Sequence, residues 1–135
     1  MRKWRSAIGA SSVRLLLDTQ ILVWMVNGDR RLRAEWIAGL TNPESHLHVS
    51  VVVAFEYSEL QQRKRIPVDE TMDELIERFD FAVEGYPADC WRIAAQLPPI
   101  HRDPVDRMLV AHALAEGMTL VTADANIRRY PVPFI

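Results

Sequence analysis

Two acidic residues of the sequence follow short apolar segments. Asp18 comes directly after the run Val-Arg-Leu-Leu-Leu at 13–17, and Asp124 comes one residue after Thr-Leu-Val-Thr at 119–122. Apolar runs of this length between helical patterns predict buried strands of a parallel sheet. Because ligands of open α/β sheets bind beyond the carboxyl ends of the strands, both carboxylates are candidates for a site at that edge. The simpler alternative is that each acid only caps the helix or turn that follows it.

A third acid, Glu56, lies in the middle of a helix predicted over 51–65. Its neighbours one turn away are Val52, Val53 and Leu60, so its carboxylate shares the apolar face of that helix. An ionised carboxylate that is buried without a partner is very costly. Glu56 is therefore expected to have an arginine partner, a raised pKa or a bound cation.

The segment Asp103-Pro104-Val105-Asp106 is typical of a helix start, with Asp103 as the N-cap, Pro104 at the first position and Asp106 at the third. Capping alone explains both carboxylates. Asp106 differs from Asp103, however, because it heads an apolar stripe that continues through Leu109 and Val110. One acid is thus expected to cap while the other points towards the sheet edge.

Four acids could therefore converge on one pocket. Carboxylates held together repel one another, so such a cluster is stable only when it is protonated or bound to cations. Oxygen ligands favour Mg²⁺ or Mn²⁺ over zinc, and a cation of this kind can activate a water molecule and stabilise a leaving phosphate oxygen. The predicted cluster is Asp18, Glu56, Asp106 and Asp124, with Asp103, Thr19 and Thr122 as accessory residues.

The net charge of −2 argues against a DNA-binding protein that depends on overall positive charge. It leaves open an enzyme that meets a polyanion through a local patch and a metal. Contacts to the phosphates of such a substrate would fall to four arginines near the acids, although a charged stretch is usually only a solvated face. These candidates for RNA contacts are Arg102, Arg107, Arg128 and Arg129.

Other motifs of catalysis are missing from the sequence, including GxSxG, GxxxxGK[ST], GxGxxG and HExxH. The four histidines show no zinc-binding spacing and are expected in the surface or the core. A single cysteine, Cys90, favours a reducing cytoplasm, and no apolar run reaches membrane-spanning length. Residues 1–12 are predicted to be a flexible leader that precedes one domain over 13–135.

Strand-like and helix-like segments alternate along this domain. This order predicts an α/β fold, a three-layer α/β/α sandwich around a central, mainly parallel sheet of four or five strands. Strands are predicted at 13–17, 46–50, 80–83 and 119–122, with a possible edge strand at 130–135. Helices are predicted at 19–26, 30–40, 51–65, 69–79, 88–97 and 105–116, with a short helical turn at 125–129.

Four segments taken together carry a resemblance to a known family. They are Leu-Leu-Leu-Asp-Thr at 15–19, Val49-Ser50 with Phe55-Glu56, His-Arg-Asp-Pro-Val-Asp-Arg-Met-Leu-Val-Ala at 101–111, and Leu-Val-Thr-Ala-Asp at 120–124. In this order and at this length the chain resembles the PIN-domain family, and within it the VapC-type toxins of bacterial toxin–antitoxin pairs. The resemblance covers residues 14–135.

The resemblance implies a Mg²⁺- or Mn²⁺-dependent endoribonuclease that forms a homodimer. It also implies a VapB-type antitoxin that lays a C-terminal segment across the active-site groove. The metal-binding acids of the family correspond here to Asp18, Glu56, Asp106 and Asp124. The sequence departs from the family pattern at Gln20, where His is frequent, and at Val53 and Phe55, where the second Ser and the Trp of the middle motif are frequent.

Two other functions are possible. A catalytically silent PIN-like module would only bind RNA or a partner, but then nothing would explain a cluster of repelling carboxylates, and EDTA-sensitive RNA cleavage would distinguish the two. A phosphatase-like hydrolase with an aspartate nucleophile would need an Asp-x-Asp pair after the first strand. Asp18-Thr19-Gln20 does not supply that pair.

Overall fold

The strands of the protein form one sheet in which every pairing is parallel. The computed structural model describes residues 13–135. Its strands are β1 (Val13–Leu17), β2 (Ser45–Ser50), β3 (Ala82–Glu84) and β4 (Thr119–Val121). They are arranged in the order β3-β2-β1-β4, so the apolar segment β1 is central. The predicted parallel sheet is confirmed, with four strands.

Helices cover both faces of this sheet. Leu16 and Leu17 are adjacent in β1 and point to opposite faces, yet both side chains are fully buried. The predicted α/β sandwich is therefore confirmed. Within residues 13–135, no helix combines the length and the apolar character that crossing a bilayer requires. The helices are α1 (Thr19–Asn27), α2 (Ala34–Thr41), α3 (Val51–Gln62), α4 (Met72–Phe79), α5 (Cys90–Gln96) and α6 (Pro104–Glu116), with a 3₁₀ turn at Ile127–Arg129.

The chain turns from β1 into α1 without an intervening loop, because Asp18 caps the helix directly. The other end of α1 is closed by Gly28, whose φ of +58° is a left-handed conformation that glycine adopts easily. Helix α6 has the predicted design, with Asp103 as its cap and Pro104 at its first position. These caps fix the points at which α1 and α6 begin, with Asp18 and Asp103 directly before them.

The carboxyl ends of β1 and β4 lie side by side. Leu17 pairs with Val121. The residues that directly follow the two strands, Asp18 and Thr122, therefore lie next to each other. From β1 the chain continues to β2 on one side, whereas its other neighbour is β4. An α/β sheet has its binding crevice at such a point.

Three helices begin later than the sequence pattern predicts, and one of them is α5, which was predicted from 88 and begins at Cys90. The helix predicted from 30 begins at Ala34, because the Asp29 carboxylate accepts the Arg31 N–H at 2.9 Å and holds a turn there. The helix predicted from 69 begins at Met72, because Thr71 and Glu74 form a capping box.

The strand predicted at 80–83 begins two residues later, at Ala82, and ends at Glu84, since Asp80 ends α4 with a φ of +54°. The predicted edge strand 130–135 is reduced to a single bridge between Leu120 and Phe134. The predicted leader at 1–12 lies outside the described residues.

Candidate metal centre

The acids singled out from the sequence line one pocket at the carboxyl edge of the sheet. This pocket has a volume of about 370 Å³. None of the described residues that line it is a Lys or Arg, so its negative charge has no basic neighbour in the wall. Its lining residues are Asp18, Thr19, Gln20, Val23, Glu56, Leu60, Ile66, Asp103, Asp106, Ala123 and Asp124.

Asp18 is the most buried of these acids, with 6% of its surface exposed. One carboxylate oxygen accepts the backbone N–H of Ile21 at 2.9 Å, and the other accepts the hydroxyl of Thr122. Burial raises the pKa of Asp18 to about 6; the two hydrogen bonds oppose the shift, while the charges of Asp124 and Glu56 add to it. Asp18 thus caps α1 and faces the pocket at the same time.

Asp103 and Asp106 have different roles at the start of α6. The Asp103 carboxylate accepts the Val105 N–H at 2.9 Å and caps the helix. Asp106 lies in the first turn of the helix and is partly buried. Burial raises the pKa of Asp106 to about 7, the charge of Asp103 adds to the shift, and His101 opposes it. Asp103 also reaches the pocket wall, so it is a neighbour of the cluster as well as a cap.

Glu56 reaches the pocket from the face of α3. One of its carboxylate oxygens accepts the hydroxyl of Thr19, the first residue of α1. Since no Lys or Arg of residues 13–135 lines the pocket, Glu56 has no arginine partner there within this part of the chain. The accessory residues Thr19 and Thr122 each donate a hydroxyl to one acid of the cluster.

Asp124 is held by the turn that it begins. Its Oδ1 accepts the N–H groups of Asn126 at 2.8 Å and Ile127 at 3.1 Å. Burial alone would raise the pKa of Asp124, but the hydrogen bonds from His101 and from this turn lower it below its ordinary value. Among the clustered acids, Asp124 is therefore a stable carboxylate at neutral pH.

His101 was not predicted to be a site residue, yet its ring lies among the acids of the pocket. The imidazole Nε2 is 3.0 Å from Oδ2 of Asp106 and 3.0 Å from Oδ2 of Asp124. One potential ligand atom from each of these three residues lies within 4.8 Å of the others. The available signal was the place of His101, two residues before the cap of a helix whose first turn carries a site acid.

The arginines proposed for RNA contacts have different surroundings. Arg107 donates to the carbonyls of Ala94 at 2.7 Å and Pro98 at 3.0 Å, so its guanidinium stabilises the end of α5. Arg128 stacks on Phe134, with 4.6 Å between the guanidinium carbon and the ring centre. Arg102 and Arg129 are exposed.

The residues present fit a divalent cation. Carboxylate oxygens converge on a pocket whose described wall contains no Lys or Arg, and burial disfavours the charged forms of Asp18 and Asp106. An oxygen-rich set of this kind suits Mg²⁺ or Mn²⁺. The acids that would hold the cation are Asp18, Glu56, Asp106 and Asp124.

Comparison with known proteins identifies the family of this fold. The PIN domain family matches residues 15–133, and the chain belongs to this family. None of the curated proteins matches the sequence.

Several solved structures share the fold. VapBC2 from Rickettsia felis, bound to a DNA fragment from its promoter, is similar with a TM-score of 0.65 and 16% identity over 91% of this chain and 98% of that chain. VapBC-1 from nontypeable Haemophilus influenzae has a TM-score of 0.57 and 18% identity over 91% of this chain and 97% of that chain. PAE2754 from Pyrobaculum aerophilum has a TM-score of 0.54 and 17% identity over 88% of this chain and 85% of that chain.

Proposed function

We propose that this PIN domain is a Mg²⁺- or Mn²⁺-dependent endoribonuclease and the toxin of a VapBC-type toxin–antitoxin pair. The observation that carries the proposal is the pocket at the ends of β1 and β4, in which five carboxylates converge without a basic residue in the described wall. Such a cluster is a poor structural element by itself, because its charges repel. It is well suited to hold a cation at which a phosphodiester is hydrolysed.

The residues of the chain have separate tasks in this reaction. Asp18, Glu56, Asp106 and Asp124 would hold the cation. When bound, the cation supplies a water of lowered pKa and neutralises charge on the phosphate oxygens. Thr122 orients Asp18 and Thr19 orients Glu56, so both acids keep defined positions before the substrate arrives. The exposed Arg102 and Arg129 are the better candidates for phosphate contacts, because the Arg107 guanidinium is engaged by α5.

The partners follow from the same assignment. Two of the similar structures are VapBC proteins, and the four sequence segments resemble VapC toxins. We therefore propose a VapB-type antitoxin as the partner, a homodimer as the active form and the cytoplasm as the place of action. A short open reading frame directly upstream that encodes the antitoxin would support this assignment.

RNA cleavage by the purified protein tests the proposal. Cleavage of single-stranded RNA should require Mg²⁺ or Mn²⁺, stop with EDTA and be absent in Asp18→Asn and Asp106→Asn. Asp69→Asn is the matched control, because it removes the charge of an exposed acid outside the pocket. RNA binding without any metal-dependent cleavage would favour the silent binding module instead.

A further inference from the structure

The imidazole of His101 lies beside two of the acids that would hold the cation. Its Nε2 faces Asp106 and Asp124, each at 3.0 Å. A histidine between two carboxylates can be a nitrogen ligand of the metal, or it can be a hydrogen-bond donor that orients the carboxylates. The two roles differ in whether Nε2 carries a proton, because a ligating nitrogen must be unprotonated.

The other ring nitrogen decides between these roles. The backbone N–H of Asp103 points at Nδ1 of His101 at 3.1 Å, so Nδ1 accepts a hydrogen bond. A neutral ring whose Nδ1 is an acceptor carries its proton on Nε2. Nε2 therefore donates towards the two carboxylates and does not have a lone pair for a cation.

The backbone of His101 is also held in place by a hydrogen bond. The N–H of His101 donates to the hydroxyl of Tyr130 at 2.8 Å, and Tyr130 is buried. The same hydroxyl accepts a hydrogen bond from Arg107 at 3.3 Å. His101 thus has a fixed main chain and a fixed ring, as expected of a group that orients others.

We propose that His101 is a positioning residue for the metal site, which sets the orientation of Asp106 and Asp124 through Nε2–H and leaves the cation an oxygen-only set of protein ligands. This proposal rests on the proposed function. It assigns the loop before α6 a part in metal binding that the acids alone do not describe. Asp103 takes part indirectly, since its backbone N–H selects the tautomer of His101.

Mn²⁺ binding to the full chain tests this role by calorimetry and by pulsed electron paramagnetic resonance. His101→Leu should weaken Mn²⁺ binding roughly 10- to 100-fold, the usual effect of losing a group that orients metal ligands. His101→Gln keeps an N–H donor near the position of Nε2 and should recover most of the affinity. Tyr130→Phe removes the hydroxyl that accepts from the His101 backbone and from Arg107, and it should weaken binding less than His101→Leu.

The electron spin echo of bound Mn²⁺ distinguishes orientation from ligation. We expect no signal from a directly coordinated nitrogen in the wild-type protein. A coordinated nitrogen that disappears in His101→Gln would overturn the proposal, and so would unchanged or tighter Mn²⁺ binding by His101→Leu. In both cases the proposed nuclease function would stand. Failure of the wild-type protein to bind Mn²⁺ at all would overturn the function and the role of His101 together.

Discussion

The hydroxyl of Thr122 donates a hydrogen bond to Oδ2 of Asp18 and so joins the ends of the two adjacent strands β1 and β4. The same oxygen of Thr122 accepts the backbone N–H of Asp124 at 3.0 Å. One buried hydroxyl therefore connects two acids of the candidate metal centre. It holds Asp18 by its side chain and Asp124 by its main chain.

Thr122→Val should destabilise the protein, because it leaves a carboxylate oxygen and a backbone N–H without their partner. The loss of unfolding free energy should be about 1–3 kcal/mol, the usual cost of an unsatisfied buried polar group. Thr122→Ser keeps the hydroxyl and should lose clearly less. Urea denaturation in EDTA measures both variants. A larger loss in Thr122→Ser than in Thr122→Val, which keeps the methyl group, would show that the methyl group, and not the hydrogen bonds, is what the site needs.

The Asp18 and Asp106 carboxyls should make the metal-free protein less stable as the pH rises from about 4 to about 7. The pKa of Asp18 is raised to about 6 and that of Asp106 to about 7 in the folded state. Their pKa values are higher in the folded state than in the unfolded state. The stability that they contribute is therefore fully present at a pH below the unfolded-state pKa, and it is lost as the pH rises through the folded-state pKa. Groups with lowered pKa values act in the opposite direction: Asp124 and Asp29 at lower pH, and the buried His48 and His112 within the same range. Thermal melts in EDTA across this range, compared between the wild-type protein and Asp18→Asn, isolate the part that Asp18 contributes, and Mg²⁺ should reverse it.

Asp18→Asn should stabilise the metal-free protein at neutral pH and abolish RNA cleavage. A rise in pKa from 3.8 to about 6 corresponds to roughly 3 kcal/mol of unfavourable interaction as an upper limit. Asparagine still accepts the Ile21 N–H, and the Thr122 hydroxyl can rotate to accept from the amide. Melting curves with and without Mg²⁺ measure the change. A destabilised variant that still cleaves RNA would contradict the assignment of Asp18 to the metal centre.

Asp103 and Asp106 should separate by their effects. Asp103→Ala removes the cap of α6 and should cost about 1 kcal/mol of stability while much of the cleavage remains. Asp106→Asn should eliminate cleavage with little loss of stability, because a partly buried carboxylate with a raised pKa becomes neutral. Denaturation curves and cleavage rates distinguish the two. If Asp103→Asn, which can still cap, were as inactive as Asp106→Asn, Asp103 would also be a metal ligand.

Glu56→Gln should preserve or increase stability in EDTA, since no basic residue in the described pocket wall depends on this carboxylate. Metal affinity and turnover should fall together, because the charge is lost while the shape and the contact with Thr19 are kept. Calorimetric titration with Mn²⁺ and melts in EDTA measure both effects. A loss of about 3–5 kcal/mol that does not depend on metal is typical of a broken buried ion pair and would remove Glu56 from the metal centre.

The position of the acids was predictable because each depends on a local pattern. Asp18 ends an apolar strand, and Asp106 heads an apolar stripe, so their direction follows from the period of the element that carries them. His101 was not predictable in this way. Its ring is placed by the loop before α6, whose course depends on Tyr130, almost 30 residues further along the chain. The late starts of α2 and α4 have a local cause instead, since the Asp29 side chain holds a turn before α2 and the Thr71 side chain caps α4.

The two edges of the sheet restrict how a second protein chain can attach. Along β4, the segment 130–135 occupies the edge, where Leu120 donates to the Pro133 carbonyl and accepts from Ile135, both at 2.9 Å. The opposite edge is β3, which has only three residues. A binding partner that adds a strand to a sheet needs a longer free edge with unpaired backbone groups. The antitoxin that we propose for this protein should therefore bind through side-chain surfaces and grooves, and a peptide designed to extend the sheet should not compete with it.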